Sequence, residues 1–394
     1  MAFRFVSFSA GLAIVVAGYI FFLRFYRSRY VAFAATVFLA SSSVIIEYSS
    51  LARGYSLLVL FSLLAFYALL EASRTGMKKW WCLFMLFIAL DFYTIPVALY
   101  AFLGMAVWFI CSSYIEKHSA DRERLLKNFF LYSSAGGFLI FLLYLPIILN
   151  AGPAALFANR FVSPQPLLSV LGQLPSFAAQ LWREWNTPLP LSIAVIFNFL
   201  IFLGVFGYKK FRKKNIIIFL AQAIAFFSVT LSISRLPFTR CLLFLMPFYC
   251  GFAGCGFVYF VKRLKPTAFY PLTFACAILL NLLIVCYPPG EEKVLKSSPD
   301  IARTITSIIS RSDSIAYYFP AHVLLGYYFY SHHIPLDNFS VDPAKARRMF
   351  FVLRRVEEAA GFGVFRDYDD FLKKSKISCK KISFSDADLY ILRQ

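Results

Sequence analysis

Glu47-Tyr48-Ser49-Ser50-Leu51-Ala52-Arg53-Gly54-Tyr55 gathers a carboxylate, a guanidinium, two serines and two tyrosines between apolar runs at 31–46 and 55–70. Each run has about the length that crosses a hydrocarbon core as a helix. The polar stretch therefore belongs at one membrane face. Charge beside a bilayer core is costly, so it sits at an end, in a pair or in a polar cavity. The plain alternative is a hairpin whose charges only mark the water boundary.

A few other polar residues fall at the same expected face: Asp91 and Tyr93 in Asp91-Phe92-Tyr93-Thr94-Ile95-Pro96, then Glu184, Arg235 and Arg240. Arginines, tyrosines and carboxylates at that depth suit a phosphate-bearing amphiphile. Arginine grips phosphate with two parallel hydrogen bonds and keeps its charge in any surroundings. Tyrosine offers its ring to a lipid tail and its hydroxyl to a head group. A carboxylate could accept a proton from an attacking hydroxyl or bind a divalent cation. Each residue also has a structural reading. Arg240 could anchor a helix end, Asp91 could cap the helix it precedes, and Glu184 could be solvated on a loop.

The elements that must position these residues are membrane spans. The chain is 60% hydrophobic, which marks an integral membrane protein. Ten spans are expected, at about 5–23, 31–46, 55–71, 80–91, 96–112, 128–149, 191–207, 215–232, 240–261 and 268–286. Alternate connections hold 18 basic residues on one side and 6 on the other. The positive-inside rule places the basic set in the cytoplasm and the Glu47–Arg53 face outside. Much of the +20 net charge is then topological, and no nucleic-acid partner is needed. The connection 150–190 lies outside, with Trp182 and Trp185 on an interfacial helix over 167–185. A domain boundary is expected near 286, giving a multi-span domain 1–286 and an extracytoplasmic α/β domain 287–394. In the latter, helices are expected at 301–309, 321–330 and 368–374, and strands at 315–319, 350–352, 377–384 and 389–392. That domain reads more readily as a cap than as an active site. Cysteine spacing suggests neither a disulfide framework nor a metal site, and phosphate-loop and Ser/His/Asp patterns do not stand out.

The order of these parts resembles the GT-C fold glycosyltransferases, which take sugars from polyprenyl phosphate. The nearest branch is the bacterial one related to protein mannosyltransferases and to lipid A or core sugar transferases. The resemblance runs over about 4–286. It rests on Arg4-Phe5-Val6-Ser7, on 47–57 as an outer arginine–tyrosine motif, on Asp91-Phe92-Tyr93-Thr94, and on Pro237-Phe238-Thr239-Arg240 with Pro247.

The resemblance implies a transferase of the cell envelope, in a bacterial inner membrane, with a polyprenyl-phosphate-linked sugar as donor and a glycan, lipid or protein as acceptor. Arg53, Tyr55, Tyr93 and Arg240 would bind substrate. A divalent cation is compatible with such a site and not required by it. The family's acidic catalytic residue lies in a first outer loop ahead of the sequence matching Arg4–Ser7. The chain is therefore expected to start after that loop, and the resemblance assigns the catalytic acid to no residue here. Glu47 and Asp91 are the carboxylates that could stand in. Leu51 also stands where many relatives carry an acid. The same arginines would serve a transporter or flippase for a lipid-linked anion, or a non-catalytic membrane protein.

Overall fold

Helices follow one another from the second residue onward: α1 Ala2–Tyr26, α2 Arg29–Ala40, α3 Ser43–Ser50, α4 Tyr55–Thr75, α5 Lys78–Thr94, α6 Ala98–Glu116 and α7 Ser119–Ala151. After the outer connection come α8 Leu167–Asn186, α9 Leu191–Phe202, a π turn Leu203–Gly207, α10 Lys209–Ile233, a 3-10 segment Thr239–Leu245, α11 Met246–Leu264 and α12 Phe269–Cys286. This computed structural model describes residues 2–51, 53–116, 119–152, 165–187, 189–264, 267, 269–286, 297–310, 312–317, 328–332, 334, 347–354 and 378–393. The chain divides into two compact units, Met1–Pro289 and Gly290–Gln394.

Among the described residues, seven helices are long and apolar enough to cross a membrane, and nine if two bent pairs each count as one span. The protein is thus a polytopic α-helical membrane protein. The expected span 31–46 is not one straight helix. It bends by 53° between α2 and α3. Ser42 caps α3 there, its hydroxyl accepting from the Ile45 amide, so the local hydrogen bonds of a serine run replace the helical ladder. The expected span 191–207 is α9 with its π turn, set at 105° to α8. The short fourth span is α5, 17 residues long.

Burial ranks the helices. In the segment Thr239–Arg263, 83% of the apolar window is inside the bundle, and in α4 67% is, against 6% for Ala120–Ala151 in α7. α4 and α11 are therefore the central posts, while α7 leaves its surface to lipid. An aromatic cluster joins the posts: Phe66 of α4 lies 4.6 Å from Trp108, 5.3 Å from Phe248 and 5.4 Å from Phe21, ring centre to ring centre. Such rings supply both apolar area and edge-to-face attraction.

The second unit holds α13 Ser298–Ile308 and a four-stranded sheet of order β1-β2-β4-β3, with β1 Ser314–Tyr317, β2 Arg348–Arg354, β3 Ser378–Ser383 and β4 Ala387–Arg393. β1 runs parallel to β2, and the other pairs are antiparallel. Ile301 and Ile305 of α13 pack with Phe350, Val352, Leu389 and Ile391, the alternate residues of two strands. The helix expected at 368–374 and most of that at 321–330 lie outside the described residues.

One ion pair ties this unit together. Arg348 donates to both carboxylate oxygens of the fully buried Asp313, at 3.2 and 2.7 Å, and to the Ile308 carbonyl at 2.7 Å. Burial alone would raise the Asp313 carboxyl, but hydrogen bonds from Arg348 and Ser310 outweigh it and hold the carboxyl below its usual range. A lowered carboxyl adds stability above its unfolded value and loses it as pH falls through the folded one. Arg348→Ala is expected to weaken protection of the β1 and β2 amides by about 2 kcal/mol. Hydrogen exchange on the full chain checks this, and unchanged protection would show that the pair does not hold the sheet.

Candidate functional site

Both central posts begin at the same end of the bundle, and each begins with a candidate side chain. Tyr55 is the first residue of α4, and Arg240 is the second residue of the 3-10 segment that leads into α11. That segment is wound more tightly for a covalent reason. Pro247 has no amide hydrogen, so the Leu243 carbonyl accepts from Met246 in a 3-10 bond instead.

The Arg240 guanidinium lies 4.4 Å above the Phe238 ring and 5.9 Å from the Tyr55 ring centre. Tyr55 in turn packs edge-to-face on Tyr48 at 5.2 Å. Arg240 Nε is enclosed without a hydrogen-bond partner among the described residues, and so is Arg235 Nε. A donor left in this state keeps a strong demand for an acceptor.

Neighbouring elements brace the cluster. The Thr239 hydroxyl donates to Glu184 of α8, which also accepts from Gln180 at 3.0 Å. Ser43 of α3 donates to the Thr187 carbonyl at the end of α8. Glu184 is thus a strut between the outer helix and the arginine segment. Tyr48 lies within electrostatic reach of Glu47, Arg240 and Glu184. Arg235 follows a helix end closed by Ser234 in the left-handed conformation, with Arg235 N–H to Thr230 O at 3.2 Å and Ser234 N–H to Leu231 O at 3.3 Å.

Arg53 sits on the turn between α3 and α4. Its side chain is exposed, and its carbonyl accepts from Ser7 at 3.1 Å. The turn lies hard against the end of α5: a Cβ on Gly54 would come within 2.9 Å of Thr94 Cγ2. Arg53 is close enough to Tyr55 to act on it electrostatically.

The structure thus groups Tyr48, Tyr55, Glu184 and Arg240, with Glu47 and Arg53 beside them. It leaves two candidates apart. Tyr93 is 52% exposed and packs on Tyr144 of α7 at 6.1 Å, with no ring or hydrogen-bond contact to Tyr55 or Arg240 among the described residues. Asp91 stands inside α5 instead of on an outer turn. It is fully buried and accepts from Ser62 at 2.6 Å, two turns down α4 from Tyr55. No group of three His, Cys, Asp or Glu side chains able to hold a metal occurs among the described residues.

Two solved structures of ArnT from Cupriavidus metallidurans share this architecture. The apo state aligns with a TM-score of 0.60 at 12% identity, covering 98% of this chain and 83% of ArnT. ArnT bound to undecaprenyl phosphate aligns with a TM-score of 0.51 at 13% identity, covering 99% and 83%. The fold is GT-C. No family model and no curated protein matches the chain by sequence.

Within this GT-C bundle, sequence reasoning underweighted Tyr48, Thr239 and Glu184. Tyr48 was visible as a polar residue in the anchoring stretch, but Glu184 and Thr239 meet only across 55 positions of chain. Arginine and proline spacing at 237–247 was the one local signal that this segment enters a central post.

Proposed function

We propose that this protein moves a sugar from a polyprenyl-phosphate carrier to an acceptor hydroxyl or amine at the extracytoplasmic membrane face. The observation that carries the reading is the Arg240–Tyr55–Tyr48 cluster at the shared end of the two central helices, with an enclosed guanidinium nitrogen that has no acceptor among the described residues. The GT-C fold supports it, as does the occupancy of ArnT by undecaprenyl phosphate. Sidedness follows from the basic connections, which gather at the opposite end of the bundle. By the same count, the segment after α12 is extracytoplasmic.

In this reading Arg240 and Arg53 hold the lipid phosphate. The acceptor oxygen or nitrogen bonds to the anomeric carbon as the bond from that carbon to the phosphate oxygen breaks. The electron pair leaves with the phosphate, whose growing charge the guanidiniums stabilise. The acceptor proton passes to a carboxylate. In this reading Glu47 takes that proton, because Asp91 is buried two turns away and Glu184 braces Thr239.

Membranes containing the full chain should convert polyprenyl-phosphate-linked radiolabelled sugar to labelled envelope acceptor and free polyprenyl phosphate. Arg53→Ala should slow this by roughly 10- to 100-fold, less than a fully enclosed donor would, because Arg53 is exposed. Movement of the intact lipid-linked sugar across the membrane without cleavage would replace the transferase reading with a transporter.

A further inference from the structure

The segment that Arg240 opens closes on two more cations, Lys262 and Arg263 in the last turn of α11. Thr239–Arg263 has 25 residues, so this end lies about 35 Å from the candidate site. Both cations are exposed, and each rests on an aromatic ring. The Lys262 ammonium lies 4.6 Å from the Tyr30 ring centre, and the Arg263 guanidinium 4.6 Å from that of Tyr259. Tyr30 is the second residue of α2 and follows the exposed Arg29.

Cations in a last helical turn have an ordinary explanation, since they complement the negative helix C-terminus. That explanation does not cover Arg29, the first residue of α2, where the helix dipole disfavours positive charge. Nor does it call for rings beneath the charges. Carboxylates are missing from this part of the chain: no Asp or Glu precedes Glu47, and none falls between Glu184 and Glu291. α11 packs mainly against α2, α9 and the π turn, all of which lie in those stretches, as does α12. Arg29, Lys262 and Arg263 make no ion pair among the described residues.

Beside the cations, rings form a column that runs inward along α2 and α12. Tyr30 lies 6.0 Å from Tyr270, Tyr270 5.8 Å from Phe33, and Phe33 5.9 Å from Phe274. Phe33 and Phe274 each stand about one turn further from the helix start than the tyrosine before them. Tyr270 and Phe274 are exposed. The surface thus passes from cations through tyrosines, which suit the head-group level, to phenylalanines at hydrocarbon depth.

We infer that this surface docks an anionic phospholipid of the adjoining leaflet, at the membrane face opposite the Arg53–Arg240 site. Its phosphate lies against Arg29, Lys262 and Arg263, and an acyl chain follows the column from Tyr270 to Phe274. Guanidinium and ammonium groups are the donors that phosphate oxygens take. Basic clusters where spans leave the membrane attract anionic head groups, each charge adding to the affinity.

Native mass spectrometry of the full chain, in mixed micelles of phosphatidylglycerol and phosphatidylcholine, reads the preference. Phosphatidylglycerol is expected to be retained over phosphatidylcholine, and K262Q/R263Q to weaken its binding by roughly 10- to 30-fold. K78Q/K79Q is the charge-matched control at the same end of the bundle. Both lysines are exposed on α5, which packs against α4 and α7, the carriers of Glu71, Asp121 and Glu123. That control should change binding less than about threefold. Equal retention of the two lipids overturns the inference, as does a K262Q/R263Q variant that binds like the parent or a control loss equal to it. Inorganic phosphate retained in place of the lipid overturns it too. If K262Q/R263Q does not fold, R29Q on the neighbouring helix is read by the same standard, with an expected loss of about fivefold.

Discussion

Arg240→Ala is expected to lower sugar transfer by roughly 10²- to 10³-fold while leaving the protein inserted and folded. The size follows from where the guanidinium sits. It is clamped between Phe238 and Tyr55, and its Nε is enclosed without an acceptor among the described residues. A donor fixed in place before the reaction needs no reorganisation as charge grows on the leaving phosphate, and low surrounding polarity strengthens it. Arg240→Lys should recover little of the rate, because a point charge cannot reproduce the planar fork or stack on Phe238. Glu184→Gln is the informative neighbour: it keeps an acceptor for Thr239 but removes charge, so it should cost far less than Arg240→Ala. Initial rates of polyprenyl phosphate release, paired with unfolding temperatures, measure all three. An Arg240→Ala rate within about threefold of the parent would remove Arg240 from the reaction.

The spans were legible because burial in lipid demands long apolar runs, whatever the packing. α4, α10 and the segment 240–261 all stood out in this way. The break at Ser41–Ser42 did not, since serines pass in an apolar run and only the capping bond to Ile45 shows that the ladder has stopped. Asp91 misled for a related reason. An aspartate five residues before Pro96 looks like a turn, whereas α5 continues to Thr94 and turns the carboxyl inward to Ser62. For the candidate site, the Tyr48–Tyr55 half was local and readable. The Glu184–Thr239–Arg240 half depends on α8 folding back to α3 and the 3-10 segment, which no spacing encodes. In the second unit, alternation along 389–392 announced a strand, but the parallel pairing of β1 with β2 joins residues 314–317 to 349–352 and has no local mark.

The closest backbone approach at any described glycine gives the largest stability prediction. Gly256 of α11 and Gly204 of the π turn face each other: a Cβ on Gly256 would stand 1.8 Å from the Leu200 carbonyl oxygen, and one on Gly204 1.9 Å from that of Phe252. Both obstacles are backbone, so no rotamer change relieves them. Asn215, fully buried, donates to the Gly204 carbonyl at 2.8 Å and fixes the turn from its other side. Lipid tails are as apolar as leucine, so helices in a membrane gain by close backbone approach, and small residues permit it. Gly256→Ala must push α9 away from the helix that Arg240 leads into. The expected cost is about 3 kcal/mol or more, at the upper end for overpacking. Gly137→Ala in α7 is the matched control, because a Cβ there meets nothing within 4 Å and alanine is the better helix former. Fluorescence-detected size exclusion and thermal unfolding should show Gly137→Ala at or above the parent. Gly256→Ala should be aggregated or strongly destabilised, with transfer lost alongside the fold. Equal stability of the two variants would mean that α9 and α11 can separate freely, and that their contact does not hold the arginine segment in place.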